Sequence, residues 1–352
     1  MRLNNVQVLR AIAAIMVVHA HAAGVSGLHL SWFGGANGVD LFFVISGFII
    51  AYVAHADAQQ FMTRRLIRIV PIYWASTLAV YALVIAIPRV FHTTSSDPAL
   101  LIRSLFFLPA SAGVHTEDGI AHPTLAGGWT LNYEMYFYVV FWLALLASRR
   151  WASLGAVVTL ACAIAVLQLS GATSRSPVAF FYGNPIVLEF MYGIVAYHLV
   201  ARITKRREGE TPSTSEAIVL LGCVVTGFVC LAFNREIFGL GPRWLLSGVP
   251  AFVVVVSAVL LEQVHGKRVT HRVPILVGDA SYVLYLLHAY VVFGVIRLVI
   301  GHRTFGEVSG QALSLVLVAI SLAVAVVVYV YFEQPMLKRL KKMFVRARAR
   351  PA

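Results

Sequence analysis

Residues 311–332 read QALSLVLVAISLAVAVVVYVYF, a run of 22 residues without one formal charge. As a helix this run is about 33 Å long, enough to cross a hydrocarbon core roughly 30 Å thick. Lipid offers no water to backbone N–H and C=O groups, so the run must satisfy them internally, as a helix does. Residues 244–262, WLLSGVPAFVVVVSAVLLE, repeat the pattern with one acid at the end. Working outward, apolar stretches at 6–25, 38–55, 70–88, 132–148, 152–170, 178–200, 216–233, 244–262, 277–299 and 311–332 predict about ten transmembrane helices. The fold class is therefore an all-α integral membrane bundle. The runs are continuous rather than alternating, which argues against a membrane β-barrel.

Composition agrees. Hydrophobic residues make up 59% and charged residues 12%, against about a quarter charged in soluble domains. The first apolar run reads as a retained helix, not a signal peptide. Gln7 and Arg10 stand at its start, no small-residue cleavage site follows, and it holds two histidines. Cys162, Cys223 and Cys230 all lie in apolar runs with no metal or disulfide spacing, so no metal site is expected.

The net charge of +13 finds its reason in where the charges fall. With the N-terminus in the cytoplasm, 21 of the 28 Lys and Arg fall on inner segments and seven on outer ones. The positive-inside rule then places both termini in the cytoplasm. Residues 1–335 form the transmembrane domain. Residues 336–352, including KRLKKMFVRARAR, form a basic cytoplasmic tail drawn to anionic lipid. A nucleic-acid partner is not expected. The longest connection, 89–131, is on the outer side and includes LIRSLFFL, too short to span. No internal repeat marks an inverted-repeat transporter.

Ionisable residues inside lipid are costly and point to function. His19 and His21 lie near the outer end of the first helix, Asp40 near that of the second and Glu134 near that of the fourth. On this reading the three elements meet at one depth. A histidine beside carboxylates suits a general base, with a carboxylate fixing the imidazole tautomer. The plainer reading is interfacial residues that snorkel. Arg64, Arg65 and Arg68 sit at the inner end of the third helix, with Pro71 expected at the helical start. They read as positive-inside anchors or as a phosphate clamp. Spacing alone favours the anchor. Tyr73 and Trp74 suit base stacking or an aromatic belt. Glu189 and His288 fall near mid-helix, and Ser281, Tyr282 and Tyr285 share a face with His288. Each reads as a site or as a polar contact between helices. Asn184–Pro185 is expected to kink its helix. His92-x4-Asp97 matches a glycerolipid acyltransferase spacing but lies in a polar loop. No Gly-x-Ser-x-Gly elbow or Gly-rich phosphate loop is present.

Taken together the motifs resemble the acyltransferase 3 family of membrane acyltransferases, and most of all its compact members that acetylate exopolysaccharide or O-antigen. NNVQVLRAIAAIMVVHAH carries the family's basic residue, ten residues and a histidine, which selects Arg10 and His21 over His19. GVDLFFVISGFII carries Asp40, Ser46 and Gly47. RRLIRIVPIYW carries Arg64, Arg65, Arg68, Pro71 and Tyr73. GGWTLNYEMYFY carries Trp129 and Glu134, GDASYVLYLLH carries Ser281, Tyr282 and His288, and FEQP carries Glu333 and Pro335. The extra His19 is a departure, and no SGNH-type hydrolase domain is seen, so action alone or with a separate partner is expected.

The resemblance implies an acyl-CoA donor, usually acetyl-CoA, bound by Arg10, Arg64, Arg65, Arg68 and Tyr73. It implies a glycan or lipid-linked sugar acceptor, in the bacterial inner membrane. His21 is the expected base or acyl relay, with Asp40 and Glu134 beside it. Ser46, Trp129, Tyr282 and His288 are expected to bind substrate. Two other readings stay open: a transporter using Glu189, His288 and Asp40 as a proton relay, or acylation of a small molecule.

Overall fold

The computed structural model describes residues 3–26, 37–56, 58–88, 95–109, 122–296 and 307–345. These are helical, with no strand among the described residues. In chain order the α-helices are α1 Asn4–Val25, α2 Asn37–Ala56, α3 Phe61–Ala86, α4 Pro98–Leu105, α5 Gly128–Ala147, α6 Ala152–Leu169, α7 Pro177–Tyr182, α8 Leu188–Arg206, α9 Thr214–Ala232, α10 Asn234–Phe238, α11 Arg243–Leu246, α12 Gly248–Gln263, α13 Arg272–Val295, α14 Glu307–Val328 and α15 Gln334–Phe344. Ten segments among the described residues are long and apolar enough to cross a membrane. The chain is a multi-pass membrane protein.

We call the end of the bundle holding Asn4, Ala56 and Phe61 the basic face, and the opposite end the far face. Helix α1 is central and packs on α2, α12, α13 and α14. Its start is fixed by side chains distant in sequence. The Glu262 carboxylate accepts from the Asn4 N–H at 2.9 Å and the Asn5 N–H at 2.7 Å, filling two of the donors a helix start leaves open. The Asn5 amide donates to the Ala258 and Lys267 carbonyls, and its oxygen accepts from the Val269 N–H. This lock sets the register of Gln7, Arg10 and His21.

Apolar burial gives no net drive between helices in lipid, so close packing and hydrogen bonds must hold the bundle. Glycines allow the closest approaches. A Cβ on Gly193 of α8 would fall 2.2 Å from the Val44 carbonyl oxygen of α2, and one on Gly278 of α13 would fall 2.0 Å from the Gln7 carbonyl oxygen of α1. Gly47 faces Gly193 in the same crossing. Its place in the second signature therefore has a packing cause.

Several boundaries differ from the sequence reading. Helix α3 starts at Phe61 rather than 70, so the arginines are on regular helix and Pro71 lies inside it. Helix α5 starts at Gly128 rather than 132. The expected 178–200 span breaks at Gly183–Val187, where Asn184 caps a 3₁₀ turn. LIRSLFFL contributes to α4, capped by Asp97 and tied to α3 by the Trp74 indole N–H donating to the Leu105 carbonyl at 2.8 Å. His92, Arg89, Arg297, Arg303, residues 297–299 of the ninth expected helix and residues 346–352 of the expected tail lie outside the described residues.

Candidate active site

Arg64, Arg65 and Arg68 come from the first turns of α3. Residues 64 and 68 are one turn apart and share a face. Gln7 and Arg10 sit three apart on α1 and turn the same way. These side chains line one cavity of about 350 Å³. Helix α2 forms its long wall, from Val53 near the basic face to Val39 near the far face. Those 14 residues rise about 21 Å. Thr130, Glu134 and Tyr138 of α5 and Ser281, Tyr282 and Tyr285 of α13 complete it, with Lys341 of α15 at the basic end.

The lining holds five cations and one carboxylate, Glu134. Glu134 accepts hydrogen bonds from the Ser46 hydroxyl and from the Tyr138 hydroxyl at 2.8 Å. Tyr138 also lies under Arg65, 6.0 Å from ring centroid to guanidinium. The Arg65 Nε and one terminal nitrogen of Arg68 are buried with no hydrogen-bond partner among the described residues. Buried donors of this kind are normally paired. Guanidinium side chains that line a cavity with donors to spare suit an anion whose oxygens accept them.

The histidines lie beyond the cavity's far end. Tyr285 and Phe42 line it toward that end, their rings 5.9 Å apart, and the Tyr285 hydroxyl accepts from Thr130 at 2.9 Å. Behind Tyr285 stands buried His288, ring centroids 5.8 Å apart, and against His288 stands His21 at 4.9 Å, edge to face. His21 Nδ1 is 2.9 Å from the Val17 carbonyl and His288 Nδ1 is 2.7 Å from the Tyr285 carbonyl. A carbonyl only accepts, so each Nδ1 carries hydrogen when neutral. Each Nε2 then offers a lone pair. His21 is exposed, whereas the His288 Nε2 is buried without a partner among the described residues.

The structure does not bring Asp40 or Glu134 to His21. Asp40 is wholly buried, and its two oxygens accept from Arg243 Nε and Nη2, each at 2.8 Å. Glu189 is buried against the same pair. Glu134 lies deeper, because α5 begins a turn earlier than expected and Glu134 faces mid-α2 at Ser46. Tyr73 is buried against Phe107, rings 4.6 Å apart, outside the cavity lining. Trp129 packs on Phe43 and Tyr133, also outside it. Tyr282 lines the cavity, but its hydroxyl donates to the Ile69 carbonyl at 2.8 Å. The sequence reading missed Gln7, Thr130, Tyr138 and Lys341. Helical spacing pointed to two of them: Gln7 is three residues before Arg10, and Tyr138 is four after Glu134.

An acyltransferase domain model, that of the acyltransferase 3 family, matches residues 3–331. The chain belongs to this family. It is an acyltransferase. It is 33% identical over 277 residues to the exopolysaccharide production protein ExoZ of Rhizobium meliloti, covering 77% of this chain and 80% of that protein. It is 26% identical over 352 residues to nodulation protein 10 of Rhizobium leguminosarum bv. viciae, covering 88% and 90%. A putative peptidoglycan O-acetyltransferase, YrhL of Bacillus subtilis, is 26% identical over 313 residues, covering 80% of this chain but 47% of that protein. No solved structure matches the chain. Among the described residues no group of His, Cys, Asp and Glu is placed to hold a metal ion.

Proposed function

We propose that this acyltransferase moves an acetyl group from acetyl-CoA to a hydroxyl of a cell-surface glycan or its lipid-linked precursor. The observation that carries the reading is the cavity. It starts among cations at the basic face and runs about 21 Å along α2 toward the histidines. An acyl-CoA has the matching shape, with phosphates at one end, a long arm, and a thioester at the other. In this reading Arg64, Arg65 and Arg68 take the phosphates, and Arg10 neutralises charge further along. The basic face is cytoplasmic, where CoA resides, both termini share that side, and the membrane is the bacterial inner membrane. The names of the exopolysaccharide and peptidoglycan relatives favour a glycan acceptor.

His21 does the chemistry. As a general base, its Nε2 takes the proton of the acceptor hydroxyl while that oxygen attacks the thioester carbonyl. The C–S bond breaks, and the CoA thiolate takes the proton back. As a relay, Nε2 attacks the thioester carbonyl first and the CoA thiolate leaves; the acceptor hydroxyl then attacks the acetyl-imidazolium, the C–N bond breaks to return neutral His21, and the hydroxyl proton passes through His288 to leave CoA as the thiol. The second route suits transfer from a donor on one side to an acceptor on the other. In the relay route His21 Nε2 is acylated, and His288 Nε2 is the lone pair left to accept the hydrogen of the acceptor hydroxyl and so orient it. Ser281, whose buried hydroxyl has no partner among the described residues, lies two turns before His288 on α13 and so stands beside the arm rather than the thioester. Tyr285 must swing aside for the thioester to reach His21. Ser46 and Tyr138 hold Glu134 beside the arm. Asp40 acts with Arg243 to shape the far face.

Purified protein in nanodiscs with [14C]acetyl-CoA tests the reading. Rapid quench is expected to trap label on wild type and not on His21→Ala if the relay operates, and glycan-dependent CoA release without trapped label identifies the base route. If label is not trapped and CoA is not released, the donor assignment is contradicted.

A further inference from the structure

The sequence pattern gives the C-terminal basic segment to the lipid surface. The structure gives one of its residues a different place. A five-residue π turn, Tyr329–Glu333, ends α14 and leads into α15, which packs on α3. Leu337 of α15 is buried toward the bundle. Lys341 follows four residues later, so it lies on the same face. Its side chain lines the cavity, and its charged neighbours are Arg64, Arg65, Arg68 and Glu333. The other cations of α15 are absent from the lining. Glu333 is wholly buried, and its oxygens have no hydrogen-bond partner among the described residues. Glu333, Asp279 and the already hydrogen-bonded Glu134 are outnumbered by the five cations of the lining, which repel one another. Arg65 and Arg68 line the same cavity, and each has one buried nitrogen with no hydrogen-bond partner among the described residues. Such a cluster is stable when a polyanion occupies it.

We propose that Lys341 binds the phosphate groups of the acyl donor, completing the arginine cluster from the C-terminal helix. This rests on the acyl-CoA reading above. A lipid headgroup offers the same phosphate chemistry, so the test separates the two sources.

The full-length protein is placed in nanodiscs of phosphatidylcholine alone. Kd is measured for [3H]acetyl-CoA and for [3H]S-acetylpantetheine, which keeps the arm and thioester but has no phosphate. Lys341→Gln is expected to weaken acetyl-CoA binding about five- to tenfold and S-acetylpantetheine binding less than about twofold, with Lys341→Arg restoring the first. Equal weakening for both ligands indicates a packing role and overturns the proposal. An effect that appears only when phosphatidylglycerol is added assigns Lys341 to lipid and also overturns it. Arg68→Gln is measured in parallel. If it weakens acetyl-CoA selectively and Lys341→Gln does not, Lys341 alone is excluded. If neither variant discriminates between the ligands, the acyl-CoA site falls, and Lys341 with it.

Discussion

Both halves of the bundle bury charge, and they treat it in opposite ways. At the far face Asp40 gives both oxygens to Arg243, at 2.8 Å each, within one compact contact. Toward the basic face five cations surround a cavity whose one lining carboxylate is already held by Ser46 and Tyr138. The Asp40–Arg243 pair is satisfied without a ligand and reads as a structural clasp between α2 and α11, with buried Glu189 beside it as a second acid whose oxygens have no hydrogen-bond partner among the described residues. The basic-face arrangement leaves guanidinium N–H groups unmet and calls for an anion. In this bundle the paired Asp40 and Arg243 read as architecture, and the surplus of cations at the basic face reads as a site for an anion.

That distinction can be broken by mutation. Asp40→Asn removes the buried acid of a pair whose Arg243 side is partly exposed. It is expected to cost about 1.5–3 kcal/mol of stability, read as a clear loss of thermal stability in detergent. A Tm change below a few degrees makes Asp40 a functional group instead. Arg68→Gln is expected to leave Tm nearly unchanged while raising KM for acetyl-CoA by about tenfold or more, since one charge-assisted phosphate contact is lost. A collapse of stability with KM preserved reverses the assignment of the two regions. Tyr285→Phe removes the hydrogen bond from Thr130, worth about 1 kcal/mol. It is expected to change kcat a few-fold with KM for acetyl-CoA unchanged. A changed KM alone makes Tyr285 a binding residue rather than the partition before the histidines. Glu262→Gln weakens the clamp on the start of α1 and is expected to cost about 1 kcal/mol, read as a small Tm decrease with kinetics preserved.

How much of this the sequence shows depends on whether an element's partner is near it in the chain. Apolar runs such as 311–332 reveal the spanning helices because length and hydropathy are local. The arginines of α3 are legible as a cluster for the same reason. Asp40 is not, because its partner Arg243 lies 203 residues away. Depth matching also failed for Glu134. Starting α5 at 132 put Glu134 one turn too close to the far face, whereas Gly128 begins the helix and carries Glu134 down to Ser46. His21 and His288 lie on separate helices, and only the packing of α1 on α13 makes them neighbours. Lys341 looked like any other tail cation until α15 was seen to pack on α3.

The central claim is that glycan acylation passes through His21, beyond a donor cavity that ends at Tyr285. It is tested most directly by NMR of the surface glycan from cells carrying wild type or His21→Ala at matched membrane levels. The account predicts that the O-acetyl resonances disappear in the variant while the glycan itself is still made. Unchanged O-acetylation contradicts it.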